Sequence, residues 1–220
     1  MIDITVPLAA TTPEWPGDTP FSCGWTCRRE DPASVNLSCI TTSPHVGTHA
    51  DAPMHVETGW PASESLPLSA FVGTALVIAI PPGYNIAHDL TVSDLQGMIA
   101  TASGDSAHDT TTAMPARLLL RTGRDLSSGQ FPDDWPTLTV DAAQWLVTHG
   151  LQLWGTDAPS VDRRSSTTLP VHHVLFSNGA YVLETLALDR VDVGWYELLA
   201  QPLLIVGADA APVRAVLRRD

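Results

Sequence analysis

The segment 73–80 constrains the fold of this chain more than any other part of the sequence. It is a continuous apolar stretch, rich in β-branched residues, and it stops at Pro81-Pro82-Gly83. A strand that is apolar at every position is typical of a sheet whose two faces are both buried. The segments Ala116–Thr122 and Gly150–Gly155 repeat the pattern. The sequence therefore predicts a sheet with a fully buried centre.

The remaining periodicity places shorter elements around that sheet. Alternating or extended patterns predict strands at Ile2–Val6 and Val35–Thr42, and apolar residues at helical spacing predict helices at Thr91–Ala100 and Thr139–His149. The segment Thr101–Ala113 is rich in Ser, Thr, Asp and Gly and is expected to be a surface loop. Strands outnumber helices, which indicates an α/β protein with a mixed sheet.

Composition excludes several classes of protein. A chain of 220 residues fits one globular domain, residues 1–220, and 44% hydrophobic against 16% charged residues is too apolar for intrinsic disorder. No apolar run approaches the ~20 residues of a membrane span. The net charge is −13 and the sequence contains no Lys, so nucleic-acid binding is not expected. The first residues lack a basic region followed by a long apolar one, and we expect a cytoplasmic protein.

Three histidines and one aspartate lie within eleven residues, all at odd-numbered positions: His45, His49, Asp51 and His55. On an extended chain these four side chains project to one face, whereas on a helix Asp51 would lie roughly opposite His49. Imidazole and carboxylate are the ligands that borderline divalent metals prefer. The alternative is four separately satisfied polar residues on a surface loop. Their shared face favours a metal site.

A second group of candidate ligands lies near the C-terminal end. Pro170 predicts the start of a helix, and Asn178-Gly179 predicts its end before a strand at Ala180–Leu186. From His172 the helix climbs about 10 Å, and the strand returns about 16 Å to Glu184, so these two side chains can meet. A carboxylate buried in such an apolar strand needs a cation or strong donors. The alternative is that Glu184 faces solvent on an edge strand.

The motif His-x-Gly-Thr-His-x-Asp-x-Pro-x-His, from His45 to His55, resembles the signature of the metal-dependent cyclase-like hydrolases that include the bacterial kynurenine formamidases. The similarity extends over nearly the whole chain. The segments Trp15–Phe21, Gly155–Asp162 and Ala211–Arg218 each resemble the kynurenine formamidase branch. One local departure follows Asp162, where Arg163-Arg164 stands in place of the Pro and Leu that relatives usually carry.

The resemblance implies a swivelling β/β/α fold, with a mixed sheet or barrel core flanked by helices, in a homodimer. It also implies two divalent metal ions, for which zinc is the expected metal. By position, His45, His49 and Asp51 would hold one ion. His172 and Asp51 would hold the second, and Glu184 would touch both.

The resemblance further implies an arylformamidase, which hydrolyses N-formyl-L-kynurenine to L-kynurenine and formate in tryptophan degradation. Water activated by the metal would attack the formyl carbon, His55 would carry the proton, and Trp15 would stack on the substrate ring. Adjacent His172 and His173 compete for one ligand position, and the twelve-residue step to Glu184 favours His172. The alternatives are a hydrolase of cyclic amides such as isatin, or a metal-binding protein without turnover. The latter has no need of His55 beside an open metal position.

Overall fold

The computed structural model describes residues 1–30, 34–104, 114–126 and 128–219. Its strands in chain order are β1 Ile2–Asp3, β2 Ser22–Cys27, β3 Leu37–Thr41, β4 His49–Asp51, β5 Val72–Ala79, β6 Arg117–Arg121, β7 Leu153–Thr156, β8 Tyr181–Glu184, β9 Gly194–Leu199, β10 Ala210–Pro212 and β11 Val216–Arg218. Its α-helices are α1 Leu68–Phe71, α2 Val92–Ser103, α3 Val140–Thr148 and α4 Pro170–Ser177, and 3₁₀ turns span Pro53–His55 and Ser63–Ser65.

Nine strands form one sheet in the order β1-β11-β9-β5-β6-β7-β8-β4-β10. The central strands β5, β6, β7 and β8 run parallel, and the pairings on either side of them are antiparallel. The sheet curls into a half-barrel, and the short strands β2 and β3 pair separately as a hairpin. The predicted α/β class with a mixed sheet is confirmed.

Strand β5 is buried on both faces, as the apolar run predicts. Ala75 and Val77 point into one hydrophobic core, and Leu76 and Ile78 point into another on the opposite side of the sheet. The second core is covered by α2, α3 and α4, whose apolar faces contribute to it. The first lies on the other face of the curled sheet, where residues of β9 and β11 complete it.

The two long helices begin where their caps predict. The Thr91 hydroxyl accepts a hydrogen bond from the Asp94 backbone, and the Thr91 backbone donates one to the Asp94 carboxylate in return. Thr139 caps α3 by accepting from the Ala142 backbone. Helix α2 continues to Ser103 and stops at Gly104, which has φ of 77°. The loop predicted for Thr101–Ala113 is therefore wrong for its first residues, and residues 105–113 lie outside the described part of the chain. No helix in the described ranges is long and apolar enough to cross a membrane.

Two predicted strands are shorter than expected. The strand predicted at Ile2–Val6 covers only Ile2–Asp3, and the Val6 backbone donates to the Thr48 hydroxyl. Residues Leu37–Thr41 of the predicted segment Val35–Thr42 pair with β2, and every one of them is exposed.

Candidate metal centre

A cavity of about 500 Å³ opens beside the ends of β4 and β8. Its lining includes six of the seven residues singled out from the sequence: Trp15, His45, His49, His55, His172 and Glu184. The seventh, Asp51, lies beneath it and is fully buried. The structure therefore brings together all the residues that the sequence nominated, from segments more than 100 positions apart.

The motif reaches the cavity through three kinds of local structure, not through one extended strand. Only His49–Asp51 form a strand, β4, between β8 and β10. His45 lies in the preceding turn, and His55 ends a 3₁₀ turn that begins at Pro53. The turn before β4 requires a left-handed residue, which Gly47 provides with φ of 69°. The prediction that one extended segment projects all four side chains to one face is wrong. The four side chains nevertheless lie close together at the cavity.

Asp51 is the centre of the cluster. Its Oδ1 atom lies 3.0 Å from His45 Nδ1 and 3.2 Å from His49 Nε2, and its Oδ2 atom lies 3.3 Å from His172 Nε2. Glu184 spans the same two groups, with Oε2 at 3.6 Å from His49 Nε2 and Oε1 at 3.5 Å from His172 Nε2. Each carboxylate therefore directs one oxygen toward His49 and the other toward His172.

The donor atoms of this cluster fit a metal ion. Nδ1 of His49 lies 2.9 Å from the Gly47 carbonyl oxygen, and Nδ1 of His172 lies 2.7 Å from Asp162 Oδ2. Both partners are acceptors, so each ring places its proton on Nδ1 and presents a lone pair at Nε2 toward a carboxylate. His49 Nε2 and Asp51 Oδ1 are buried and have no hydrogen-bond partner in the described residues. Acceptor atoms that face each other in a buried site need a cation between them.

The electrostatics of the cluster also favour a cation at its centre. Burial acts to raise the pKa of the Asp51 carboxyl, but His49, His172 and His45 hold it well below its usual range. Burial acts to lower the pKa of His45, yet the neighbouring carboxylates of Asp209 and Asp51 raise it to about 10. The carboxylates thus favour positive charge at the centre of the site, which a divalent ion also supplies.

The two adjacent histidines on α4 have different surroundings. His172 is buried and faces Asp51 and Glu184, whereas the ring of His173 packs edge-on against Trp60 on the outer side. Glu184 itself is buried at the end of β8, and its Oε1 atom accepts a 2.8 Å hydrogen bond from the Val161 backbone. The alternative of a solvent-facing Glu184 is therefore wrong.

Two carboxylates hold the histidines, and neither was nominated from the sequence. Asp162 is buried and accepts hydrogen bonds from the Val171 and His172 backbones and from the His172 ring. Asp209 lies 3.0 Å from His45 Nε2 and 3.4 Å from His55 Nδ1. A carboxylate behind a metal-ligating imidazole is a general feature of metal sites. Asp162 ends the segment Gly155–Asp162 that resembles the kynurenine formamidase branch, whereas no local signal links Asp209 to the motif.

One wall of the cavity is aromatic. Trp15 is 37% exposed and contacts Phe131 and Trp135 edge-to-face, with ring centroids 5.4 and 6.0 Å apart. Trp135 is fully buried and donates its indole N–H to the Asp162 carbonyl oxygen, so it fixes the position of the wall. Trp15 therefore lines the cavity as expected, and Phe131 is an additional wall residue that sequence reasoning missed.

Two residues on the cavity wall have left-handed backbones despite carrying side chains. Leu169 has φ of 43° just before α4, and Thr185 has φ of 58° directly after Glu184. This conformation costs about 1–3 kcal/mol for a residue with a Cβ, and a branched residue such as Thr is the least suited to it. The Thr48 hydroxyl donates to the Thr185 carbonyl oxygen at 2.6 Å and holds it in place. Strain of this kind is characteristic of functional sites.

Comparison with known proteins finds relatives over nearly the full length of the chain. Residues 2–163 match the model of a family described as putative cyclase. A protein of Salinibacter ruber named kynurenine formamidase is 43% identical, with 99% of this chain and 97% of that protein covered.

Two solved structures have the same fold. A predicted metal-dependent hydrolase from Bacillus stearothermophilus has a TM-score of 0.75 at 28% identity, with 98% of this chain and 96% of that chain covered. Isatin hydrolase A from Labrenzia aggregata, bound to benzyl benzoate, has a TM-score of 0.79 at 25% identity, with 97% and 91% covered. The chain therefore belongs to the putative cyclase family of metal-dependent hydrolases, and proteins named kynurenine formamidase are among its full-length relatives.

Proposed function

We propose that this protein is an arylformamidase that hydrolyses N-formyl-L-kynurenine to L-kynurenine and formate. The observation that carries the proposal is the meeting, in one cavity, of a buried His and carboxylate cluster, a nearby histidine outside that cluster, and an aromatic wall. Relatives over the full length of the chain carry the name kynurenine formamidase.

Five residues are proposed to hold two divalent ions, with zinc as the metal. His45, His49 and Asp51 would hold one ion, and His172 with Asp51 would hold the other, while Glu184 contacts both groups. A set of ligand atoms made only of imidazole nitrogens and carboxylate oxygens suits zinc. A divalent ion bound here supplies activation of water and polarisation of the formamide carbonyl.

His55 is proposed to be the proton carrier. Its side chain is 30% accessible, more than that of any proposed ligand histidine, and its ring centroid lies 5.8 Å from that of His172. Hydrolysis of a formamide requires a base that takes a proton from water and an acid that gives one to the departing aryl amine. An imidazole at the cavity surface can serve in both steps.

The aromatic wall is proposed to select an aryl formamide. Trp15 and Phe131 present flat apolar surfaces that can contact the aniline ring of the substrate. The half-exposed position of Trp15 leaves its face accessible to a ligand. In the proposed binding mode, the substrate ring lies against this wall and the formyl group points toward the histidine cluster.

The second candidate function is hydrolysis of the cyclic amide isatin, favoured by the structural likeness to isatin hydrolase A. A direct comparison of kcat/KM for N-formyl-L-kynurenine and isatin, with the zinc-loaded protein, separates the two. The arylformamidase proposal expects N-formyl-L-kynurenine to be the better substrate, and faster opening of isatin overturns it.

The His55→Ala variant tests the proton carrier. It should lower kcat by ~10²-fold or more, the usual scale for lost acid–base catalysis, while metal content stays at the wild-type level. His173→Ala is the matched control, because this neighbouring imidazole packs outside the cluster. A loss of metal in His55→Ala would make His55 a ligand and refute its role.

We further propose that residues 1–220 act as one domain in a cytoplasmic homodimer. Large apolar side chains are exposed on the β2–β3 hairpin and in the segment 203–206, notably Trp25, Ile40 and Leu204. Such exposure is typical of an interaction surface. Light scattering in solution should give twice the chain mass of 23.5 kDa, and a single-chain mass contradicts the dimer.

A further inference from the structure

We propose that Asp209 is a positioning residue that fixes the ring orientation and the tautomer of His55. One oxygen of its carboxylate, Oδ2, lies 3.4 Å from His55 Nδ1 and 3.0 Å from His45 Nε2. These two rings are 4.3 Å apart between centroids. A single carboxylate oxygen therefore connects a proposed metal ligand to the proposed proton carrier.

The backbone holds Asp209 firmly in this place. It directly precedes β10, whose first residue, Ala210, pairs with Asp51 of β4. The Asp209 carbonyl oxygen also accepts a 2.9 Å hydrogen bond from the Ala52 backbone, just before the turn that carries His55. The carboxylate and the turn are therefore parts of one hydrogen-bonded unit, and the distance between Asp209 and His55 is set by strand pairing.

The chemistry of the contact determines which nitrogen of His55 faces the cavity. An ionised carboxylate can only accept hydrogen bonds, so a neutral His55 beside it carries its proton on Nδ1. The Nε2 atom is then unprotonated and free to take a proton from water. A ring nitrogen of His55 lies within 4.8 Å of ligand atoms of both Asp51 and His172, beside the proposed metal centre.

The same oxygen constrains His45. As a metal ligand, His45 would be neutral, with its one proton on Nε2 donated to Asp209 and its Nδ1 lone pair 3.0 Å from Asp51 Oδ1. Because both rings share one acceptor, a displacement of Asp209 would release both of them. The alternative is that Asp209 joins His45 and His55 as a metal ligand, since one atom from each lies within 4.8 Å of the others. Metal content separates these two roles.

The experiment compares Asp209→Ala, Asp209→Ser and Asp209→Asn in the zinc-loaded protein. Ala and Ser remove the acceptor, since a Ser hydroxyl is too short to reach either ring, whereas Asn keeps a carbonyl oxygen in its place. We expect kcat to fall roughly 10–100-fold in the Ala and Ser variants, the scale for loss of a carboxylate behind an active-site histidine. KM should stay close to wild type. Zinc content should also stay close to wild type when zinc is saturating, because excess zinc offsets a weaker hold on His45. Asn should restore most of the activity.

A spectroscopic readout reports the tautomer directly. In zinc-loaded protein labelled with ¹⁵N-histidine, the His55 ring should show a protonated Nδ1 in the wild type and in Asp209→Asn. It should shift toward the Nε2-protonated form in Asp209→Ala and Asp209→Ser. The control is Asp189→Ala, which removes another half-exposed carboxylate, one whose ion pair is with Arg190. It should change neither kcat nor the spectrum.

This inference rests on the proposed role of His55, and the outcomes distinguish the two. If His55→Ala retains full turnover, the proposed role of His55 fails. If His55→Ala is inactive but Asp209→Ala has wild-type kcat and an unchanged His55 tautomer, only the role of Asp209 fails. A loss of zinc from Asp209→Ala that persists at saturating zinc also overturns positioning and makes Asp209 a ligand.

Discussion

Replacing Asp162 by Ala should weaken both the fold and the binding of one metal ion. The carboxylate is buried and accepts three hydrogen bonds, from Val171 N at 3.0 Å, His172 N at 3.1 Å and His172 Nδ1 at 2.7 Å. A buried donor that loses its acceptor costs about 1–3 kcal/mol, so the three together cost roughly 3 kcal/mol or more. That is a large part of the free energy of unfolding of a typical domain, which is about 5–15 kcal/mol.

The metal effect follows from the His172 ring, which Asp162 orients. Without that carboxylate the Nδ1 proton has no fixed acceptor, and zinc affinity at the proposed site of His172 should fall by about 10–100-fold. Asp162→Asn keeps one carbonyl oxygen, which can still accept from the His172 ring and backbone. This variant should therefore lose less affinity and less stability than Asp162→Ala.

Two measurements separate the effects. Urea unfolding in excess chelator gives the free energy of unfolding, and calorimetric titration of the metal-free protein gives the zinc affinity. The control is Asp157→Ala, because Asp157 is equally buried and accepts from Thr122 and Gly123 but contacts no imidazole in the described residues. It should lose stability without losing zinc affinity. If Asp162→Ala binds zinc as tightly as the wild type, the proposed support of His172 is refuted.

Two further predictions concern the aromatic wall and a buried carboxyl group. Trp15→Ala should lower kcat/KM for N-formyl-L-kynurenine more than for a small aliphatic formamide, because a ring contact worth about 1 kcal/mol is lost only with the aryl substrate; equal losses for both substrates would make Trp15 structural. Burial raises the pKa of Asp157 to about 6, against the hydrogen bonds from Thr122 and Gly123 that lower it. The folded state therefore binds this proton more tightly than the unfolded chain, and the contribution of Asp157 to stability is present at low pH and is lost as the pH rises toward 6 and above. Relative to Asp157→Asn, the wild-type free energy of unfolding should fall by about 1 kcal/mol between pH 5 and 7, measured in urea with chelator. A difference that stays constant with pH contradicts the raised pKa.

The parts of this structure that are local in the sequence could be predicted from it. The apolar run that becomes β5 identifies a doubly buried strand, and Thr91 and Thr139 mark the helix starts. The motif from His45 to His55 identifies the metal chemistry by residue type alone. Its geometry was less predictable, because Gly47 and Pro53 insert turns that no strand period describes.

The residues that sequence reasoning missed are those that long-range pairing brings to the site. Asp209 is 154 positions from His55 and reaches it only because β10 pairs with β4. Phe131 contacts Trp15 across a stretch of loop that carries no periodic pattern. Their positions depend on strand order and loop packing, neither of which a local pattern encodes.

The most direct test of the account is the activity of protein freed of metal by chelation and confirmed as metal-free by elemental analysis. The buried acceptor atoms of His49 and Asp51 require a cation, so we expect the metal-free protein to be inactive toward N-formyl-L-kynurenine. Added zinc should restore turnover, with a titration that saturates at two ions per chain. Full activity of the metal-free protein would contradict the central claim.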